Sequence, residues 1–70
     1  MPHMHPVTSS NLVAVGYESS AMELYIQFHN GLYVYFGVPR SVYADLMSAP
    51  SHGHYHAAYI KNRYRYRRIG

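Results

Sequence analysis

The sequence contains no cysteine and only three acidic residues among its 70 positions. Without cysteine, the chain can form neither a disulfide nor a thiolate zinc site. A chain of this length forms one domain at most, and such a domain buries only about 60% of the surface that its unfolded state exposes. Its stability must therefore come from a well-packed aromatic core or from oligomerisation.

Long apolar runs are also missing. No stretch approaches the roughly 18 apolar residues that cross a membrane, and the N-terminus has no apolar segment typical of a signal peptide. The lack of cysteine is consistent with a reducing compartment. Together these features favour a cytoplasmic protein with no membrane partner.

The sequence has no recognisable set of catalytic residues. Its three carboxylates are scattered, and Ser51 and His52 are neighbours in sequence without the third member of a triad. The glycines stand singly, so no phosphate-binding loop is present. The sequence therefore predicts a protein that is not an enzyme and that needs no cofactor.

Positive charge is concentrated at one end of the chain. The first sixty residues carry one basic residue, Arg40, against all three carboxylates. A basic end predicts an anionic partner such as nucleic acid, and the alternative is a solvated tail that keeps a small domain soluble. The other five basic residues fall within the last ten positions: Lys61, Arg63, Arg65, Arg67 and Arg68.

The composition divides the chain into two parts. Residues 1–10, MPHMHPVTSS, hold two prolines and two histidines without apolar periodicity, which is typical of a flexible arm. We expect residues 11–70 to form a single domain. Three segments of this domain have the β-branched or alternating composition of strands: 11–17, 22–28 and 32–36.

The alternation within the first of these strands predicts how its side chains divide between the two faces of the sheet. Val13, Val15 and Tyr17 should lie on one face, with Leu12 on the other.

The Asn-Gly pair between the second and third strands predicts a hairpin with two alternative registers. A two-residue loop, Asn30-Gly31, would pair Phe28 with Tyr33 and bring the tyrosines of the third strand onto the aliphatic face. A loop longer by one residue, with Gly31 in the left-handed conformation of a G1 bulge, would pair Phe28 with Leu32 instead. A slip of one residue inverts the faces, so the two registers place the tyrosines on opposite sides of the sheet.

We predict the three-residue loop, because it separates apolar from polar side chains more completely. In that register the apolar face holds Leu24, Ile26, Phe28, Leu32, Val34 and Phe36. The opposite face holds Tyr25, Tyr33 and Tyr35 beside Glu23 and Gln27.

The second half of the chain predicts two short helices. Pro39 and Pro50 bound an amphipathic helix that can cover the aliphatic face, and Ser51 is a suitable N-cap for a second helix over residues 54–62. The closing YRYRRI is either a fourth strand along the sheet edge or an extended basic tail. The predicted fold class is α+β, with an antiparallel sheet of three to four strands and two short helices packed on one face.

Five motifs in order resemble the KTSC domain, a family named for a C-terminal extension of some lysyl-tRNA synthetases and found also as small stand-alone bacterial and phage proteins. They are SSNLVAVGY, the central Tyr-x-Tyr-Phe, GVP at the entry to the helix, S-x-G-x-Y and YRYRRI. The resemblance covers nearly the whole chain from Ser9 to Ile69. It implies no catalytic activity, and RNA binding is the suggestion that the synthetase context carries.

Aromatic and basic residues together are the main functional candidate. A sheet that presents tyrosines beside cations can stack unpaired bases, whereas tyrosines covered by the C-terminal segment would be purely structural. The candidate binding residues are Tyr25, Tyr33, Tyr35, Lys61, Arg63, Arg65, Arg67 and Arg68.

Histidines at alternate positions are the second candidate. His52, His54 and His56 would share a face of an extended segment and could hold a transition metal, but a helix begun at Ser51 would separate them. No cysteine or carboxylate lies close in sequence to complete a site. We therefore predict no metal site here.

The sequence thus predicts a small binding module, with RNA or single-stranded nucleic acid as the first choice of partner. The alternative is a protein-interaction module, since tyrosine and arginine dominate interface hot spots. Its partner would be a host protein or, through an exposed strand edge, a second copy of the chain.

Overall fold

In a computed structural model that describes residues 1–70, five antiparallel strands form one sheet in which each strand pairs with the next along the chain. The predicted α+β class is confirmed, with five strands in place of three or four. The elements are β1 (His5–Pro6), β2 (Leu12–Glu18), β3 (Glu23–Phe28), β4 (Gly31–Tyr35), α1 (Arg40–Ser48), α2 (His52–Tyr55), a π-helix (His56–Ile60) and β5 (Tyr66–Arg68).

The two additional strands come from the ends of the chain. β1 pairs with β2 in the segment for which the sequence predicts a flexible arm. β5 pairs with β4, so the closing YRYRRI is a strand along the sheet edge. Backbone bonds extend this pairing beyond β5, since Phe36 N–H donates to Arg65 O at 2.9 Å and Ile69 N–H donates to Leu32 O at 2.8 Å.

The predicted register of the β3–β4 hairpin is wrong. Phe28 lies opposite Gly31, and Ile26 lies opposite Tyr33. The loop therefore consists of two residues, 29 and 30, and it ends one residue before either predicted loop. Gly31 has a positive φ of 158°, as expected in sign, but it belongs to β4 opposite Phe28 and forms no left-handed bulge.

This register puts the tyrosines of β4 on the side that we had assigned to the aliphatic residues. Tyr35 lies opposite Leu24, and both side chains belong to the main core beneath the helices. Val34, between the two tyrosines, points to the other face of the sheet, opposite Tyr25. The two tyrosines therefore do not gather with Tyr25 as predicted.

The outer face of the sheet, which carries Val34, is also covered. Val34 is only 4% exposed although it lies outside the main core cluster. Gly16 faces the same side, and a Cβ built on it would lie 2.7 Å from Met4 Sδ and 2.8 Å from His3 O. The N-terminal segment therefore crosses the outer face at Gly16.

The prediction failed because it assumed that only one face needed apolar residues. Phe36, expected in the core, follows β4, is half-buried and does not belong to the core cluster.

A bulge in β2 corrects the predicted faces of that strand. The pairing with β3 shifts between Leu12 and Ala14, which leaves Val13 as the extra residue. Leu12 therefore joins Val15 in the core, at 1% and 0% exposed, whereas Val13 is 39% exposed.

Helix α1 lies between the predicted prolines and buries Leu46 completely. Tyr43 on α1 stacks on Tyr17 of β2 with ring centroids 5.1 Å apart, and the Tyr17 hydroxyl donates to Val38 O at 2.6 Å. His52 Nδ1 lies 2.8 Å from Leu46 O near the end of α1. Because a carbonyl can only accept, Nδ1 of His52 carries a proton.

The second helical segment starts two residues earlier than predicted and changes type along its length. Ser51 is its N-cap, as predicted, and its hydroxyl accepts from His54 N–H at 3.1 Å. The α-helical turn gives way to π-helix at His56, where Lys61 N–H donates to His56 O at 2.9 Å. No helix in the structure has both the length and the apolar character to cross a membrane.

Candidate functional site: a groove between the sheet and the π-helix

A groove of about 390 Å³ lies between the π-helix and the sheet. Its volume falls in the range of roughly 300–1,000 Å³ typical of small-molecule sites. The groove is lined by Asn11, Phe28, Asn30, Tyr33, Tyr35, Gly53, His56, Ala57, Lys61, Asn62 and Tyr66.

The π-helix explains why residues five apart in sequence line the same groove. In an α-helix such residues point well away from each other, whereas the wider π-turn, with its bond from residue i+5 to residue i, brings them to one side. His56 and Lys61 form one such pair, and Ala57 and Asn62 form another. This wide turn therefore places a histidine, a lysine and an amide side by side.

The sheet side of the groove is aromatic. Tyr66 lies opposite Tyr35 in the β4–β5 pairing, so both side chains point to the groove. The Tyr66 ring centroid lies 5.7 Å from that of Tyr35 and 5.9 Å from that of Tyr33. Tyr66 is 57% exposed, which leaves much of its ring open to a ligand.

The floor of the groove, Tyr35 and His56, is a buried hydrogen-bonded pair. The Tyr35 hydroxyl lies 2.7 Å from His56 Nε2, and the two residues are 4% and 7% exposed. Burial raises the pKa of Tyr35 to about 12, with smaller contributions from Tyr66 and Tyr33. Burial, reinforced by the charge of Lys61, lowers the pKa of His56 below its usual 6.5. Both residues are therefore neutral at pH 7.

The groove is flanked by positive charge. Lys61 lines it directly, and a shallower depression that shares Asn62 and Tyr66 with it adds Arg63 and Arg65. None of the three carboxylates is among the residues that line either depression. The electrostatic character of this surface therefore favours an anionic ligand.

Three of the predicted binding residues lie away from the groove lining. Tyr25 is on the outer face, and its hydroxyl donates to Glu23 Oε1 at 2.9 Å, a bond that raises the pKa of Tyr25. Arg67 lies opposite Val34 and shares that face. Arg68 lies at the hairpin end of β4, where its Nε donates to Gly70 O at 2.9 Å.

The predicted residues that the structure does bring together are Tyr33, Tyr35 and Lys61 in the groove, with Arg63 and Arg65 beside it.

Several groove residues were missed by the sequence analysis, chiefly Phe28, His56 and Tyr66. In a strand, YRYRRI alternates tyrosine with arginine, so Tyr66 points to the opposite face from Arg65 and Arg67. This signal could have placed Tyr66 once the segment was identified as strand β5. His56 carried no comparable signal. Its position depends on the π-turn, which no residue pattern in the sequence indicated.

The three histidines of HGHYH have separate positions. His52 bonds to the end of α1, His54 is exposed, and His56 is buried in the floor of the groove. No group of three histidine or acidic side chains lies close enough together to hold a metal ion.

A five-stranded antiparallel sheet with short helices packed on one face defines a small α+β domain. The KTSC domain family matches residues 8–64 of the chain. The protein belongs to the KTSC domain family, and the resemblance noted from the sequence motifs is confirmed.

Known relatives fall into two groups. A KTSC domain protein from Yersinia pestis, whose crystal structure is known, is 37% identical and superposes with a TM-score of 0.97 over all of both chains. A protein from Tsukamurella paurometabola is 38% identical over 63 residues, which cover 89% of this chain and 94% of that protein. A lysine–tRNA ligase from Trichormus variabilis is 39% identical over 54 residues, which are 76% of this chain but 10% of the ligase. The chain thus spans about a tenth of that enzyme.

Proposed function

We propose that this protein is a non-catalytic binding module for RNA or another single-stranded nucleic acid. The observation that carries the proposal is the groove itself, where exposed aromatic surface, neutral hydrogen-bonding groups and cations adjoin without a carboxylate. Single-stranded nucleic acids are held by this combination, because bases stack on aromatic rings while cations contact the phosphates.

The arrangement of the groove matches the two chemical parts of a nucleotide. Tyr66 offers an open ring surface for stacking, and the exposed Arg63 and Arg65 line the adjoining depression together with Tyr66. A stacked base contributes about 1–3 kcal/mol, and phosphate contacts add a salt-dependent term.

The relatives favour RNA among single-stranded nucleic acids. Lysine–tRNA ligases from Trichormus variabilis and Nostoc punctiforme each contain a segment 39% identical to this chain. These enzymes are named for a tRNA substrate, which supports RNA as the partner of the domain that they share with this chain. We extend this argument to the present chain as part of the proposal, together with a cytoplasmic location.

A protein partner is the second candidate, and the outer edge of β5 favours it. β5 lies at the end of the sheet, and all three of its residues are exposed. A strand from another chain could pair with this edge, as in β-augmentation. That partner would be a host protein or a second copy of the chain, and its binding would depend less on salt than binding to phosphates does.

The experiment that tests the proposal is a salt titration of binding to unstructured RNA. Fluorescence anisotropy with a labelled oligouridylate of about eight nucleotides should give binding in the micromolar range that weakens log-linearly from about 50 to about 200 mM salt. Replacing Arg63 and Arg65 with alanine should reduce the salt slope by roughly 0.7 for each arginine that contacts a phosphate.

The control is Arg40→Ala, which removes one positive charge from the start of α1, away from the groove lining, and is compared with the single variants Arg63→Ala and Arg65→Ala. Its salt slope should equal that of the wild-type protein. Absence of salt-sensitive RNA binding by the wild-type protein at micromolar concentration would contradict the proposal, and an equal effect of the control would show that only net charge matters.

A further inference from the structure

His56 has one ring nitrogen that finds no partner within the chain. The residue is 7% exposed, and its only side-chain hydrogen bond joins Nε2 to the Tyr35 hydroxyl. No fully buried side-chain nitrogen or oxygen lacks a partner, so Nδ1 keeps some contact with solvent, and His56 is one of the residues that line the groove. A nearly buried polar group that is left open to a groove is a position for a ligand atom.

The hydrogen bond to Tyr35 determines what Nδ1 offers to a ligand. His56 is the only hydrogen-bond partner of the Tyr35 hydroxyl, and Tyr35 is 4% exposed. The hydroxyl hydrogen would be buried without a partner unless it is donated to Nε2. A neutral imidazole that accepts at Nε2 carries its proton on Nδ1. The buried tyrosine therefore fixes the tautomer, and Nδ1–H of His56 is a donor with no partner in the chain, on a residue that lines the groove.

The surroundings of this donor suit a flat, polar, uncharged group. Asn11 and Asn62 line the same groove and offer amide donors and acceptors, while Tyr66 supplies an exposed ring. On the helix side, Ala57 and Gly53 leave the groove open, since neither carries a long side chain. A nucleobase has the required shape and presents ring carbonyl or ring nitrogen acceptors along its edge.

We propose that the groove takes up one unstacked nucleobase of a single strand, with an acceptor on its edge bonded to Nδ1–H of His56. This inference rests on the proposed function and makes it more specific, because it assigns base recognition to the groove floor and leaves the phosphates to Arg63 and Arg65 in the adjoining depression. Tyr35 acts as a positioning residue, since it holds the tautomer of His56 without contacting the base.

The direct test follows the ring nitrogens of His56 by NMR. Two-bond ¹H–¹⁵N spectra of the labelled wild-type protein should identify the Nδ1–H tautomer of His56 in the free state. Addition of an oligouridylate of about eight nucleotides should shift the His56 Nδ1 resonance. The control is His29, which lies exposed in the β3–β4 loop outside the groove lining and should not shift.

A matched RNA probe separates base recognition from phosphate binding. An abasic strand of the same length keeps every phosphate but has no base to place in the groove. It should bind about tenfold more weakly than the oligouridylate, in line with the usual contribution of a stacked base. The salt slope of the two probes should be the same.

Two conservative variants test the donor itself. In His56→Asn the amide nitrogen can take the position of Nδ1, so the groove keeps its donor although the bond to Tyr35 is lost. In His56→Gln the end of the side chain can take the position of Nε2, so the bond to Tyr35 is kept but the groove loses its donor. We expect RNA affinity within about twofold of wild type for the first and about tenfold weaker for the second, with folding of each checked by thermal melting.

The outcomes distinguish this inference from the proposed function. If wild-type protein does not bind RNA in a salt-sensitive manner, both fail. If it binds RNA but the His56 resonance does not move and the abasic strand binds equally well, base recognition in the groove is wrong while phosphate-driven binding stands. Equal affinity of the two folded His56 variants would also overturn the assignment of Nδ1 as the donor.

Discussion

The floor and the rim of the groove contain the same kind of residue in opposite situations. Tyr35 in the floor is 4% exposed and bonded to His56, whereas Tyr66 at the rim is 57% exposed and has no side-chain hydrogen bond. Their ring centroids are only 5.7 Å apart. The difference comes from the strands that carry them, because β4 lies inside the sheet under the helices and β5 forms its edge. Adjacent tyrosines can therefore serve stability and recognition separately.

The largest expected effect is the loss of stability when the ring of Tyr35 is removed from the floor of the groove. Tyr35→Ala should lower the free energy of unfolding by ~3–5 kcal/mol, because it leaves a cavity in the core and deprives His56 Nε2 of its partner. In a domain of this size, such a loss is enough to prevent folding. Chemical denaturation followed by circular dichroism measures it. An alanine variant as stable as the wild-type protein would contradict the structural role of Tyr35.

The same change at the rim should affect binding rather than stability. Tyr66→Ala should weaken binding of single-stranded RNA by ~1–3 kcal/mol, because a stacking surface is lost. Its free energy of unfolding should change by no more than about 0.5 kcal/mol, as is usual for exposed positions. Anisotropy titrations and denaturation curves on the same sample separate the two effects. Tyr66→Phe is the control and should bind like wild type, since stacking needs the ring alone.

A second pair of variants removes only the hydroxyl group from Tyr35 and from Tyr66. Tyr35→Phe should lower the free energy of unfolding by about 1 kcal/mol, because His56 Nε2 loses its partner in a buried place. Tyr66→Phe should have no measurable effect on stability, since its hydroxyl has no partner within the chain. Thermal melting of the two variants side by side makes the measurement. Equal melting temperatures would mean that the Tyr35–His56 bond does not stabilise the fold.

The smallest expected effect is a dependence of the stability on pH, and it arises from His56 in the floor of the groove. The pKa of His56 is lowered by burial, so the unfolded chain takes up its proton at a higher pH than the folded chain. The contribution of His56 to stability is therefore fully present above pH 6.5 and is lost as the pH falls towards the lowered pKa of the folded state. Denaturation curves at a series of pH values from neutral to mildly acidic should show this decline. It should be weaker in His56→Gln, and an identical pH dependence of the two proteins would rule out His56 as its source.

The sequence by itself determined the family, the α+β class, the first helix between Pro39 and Pro50, and Ser51 as a cap. These features depend on local chemistry, such as proline geometry, side-chain capping and alternation within a single strand. The concentration of cations at the C-terminal end was also readable, because it follows directly from composition.

The direction in which the tyrosines of β4 point depended on the tertiary structure. The observed register matches neither predicted loop, and it buries the apolar Val34 on the second face of the sheet, which the sequence pattern had assigned to polar residues. The position of His56 likewise required the π-turn that brings it beside Lys61. The strand register depends on contacts between residues distant in sequence, and the π-turn is a deviation from regular helix geometry. Neither can be predicted from the pattern of residue types along the chain. The groove arises from these two features, so the residues of its floor could not be predicted from the sequence. Its positive charge could be predicted, because it follows from composition alone.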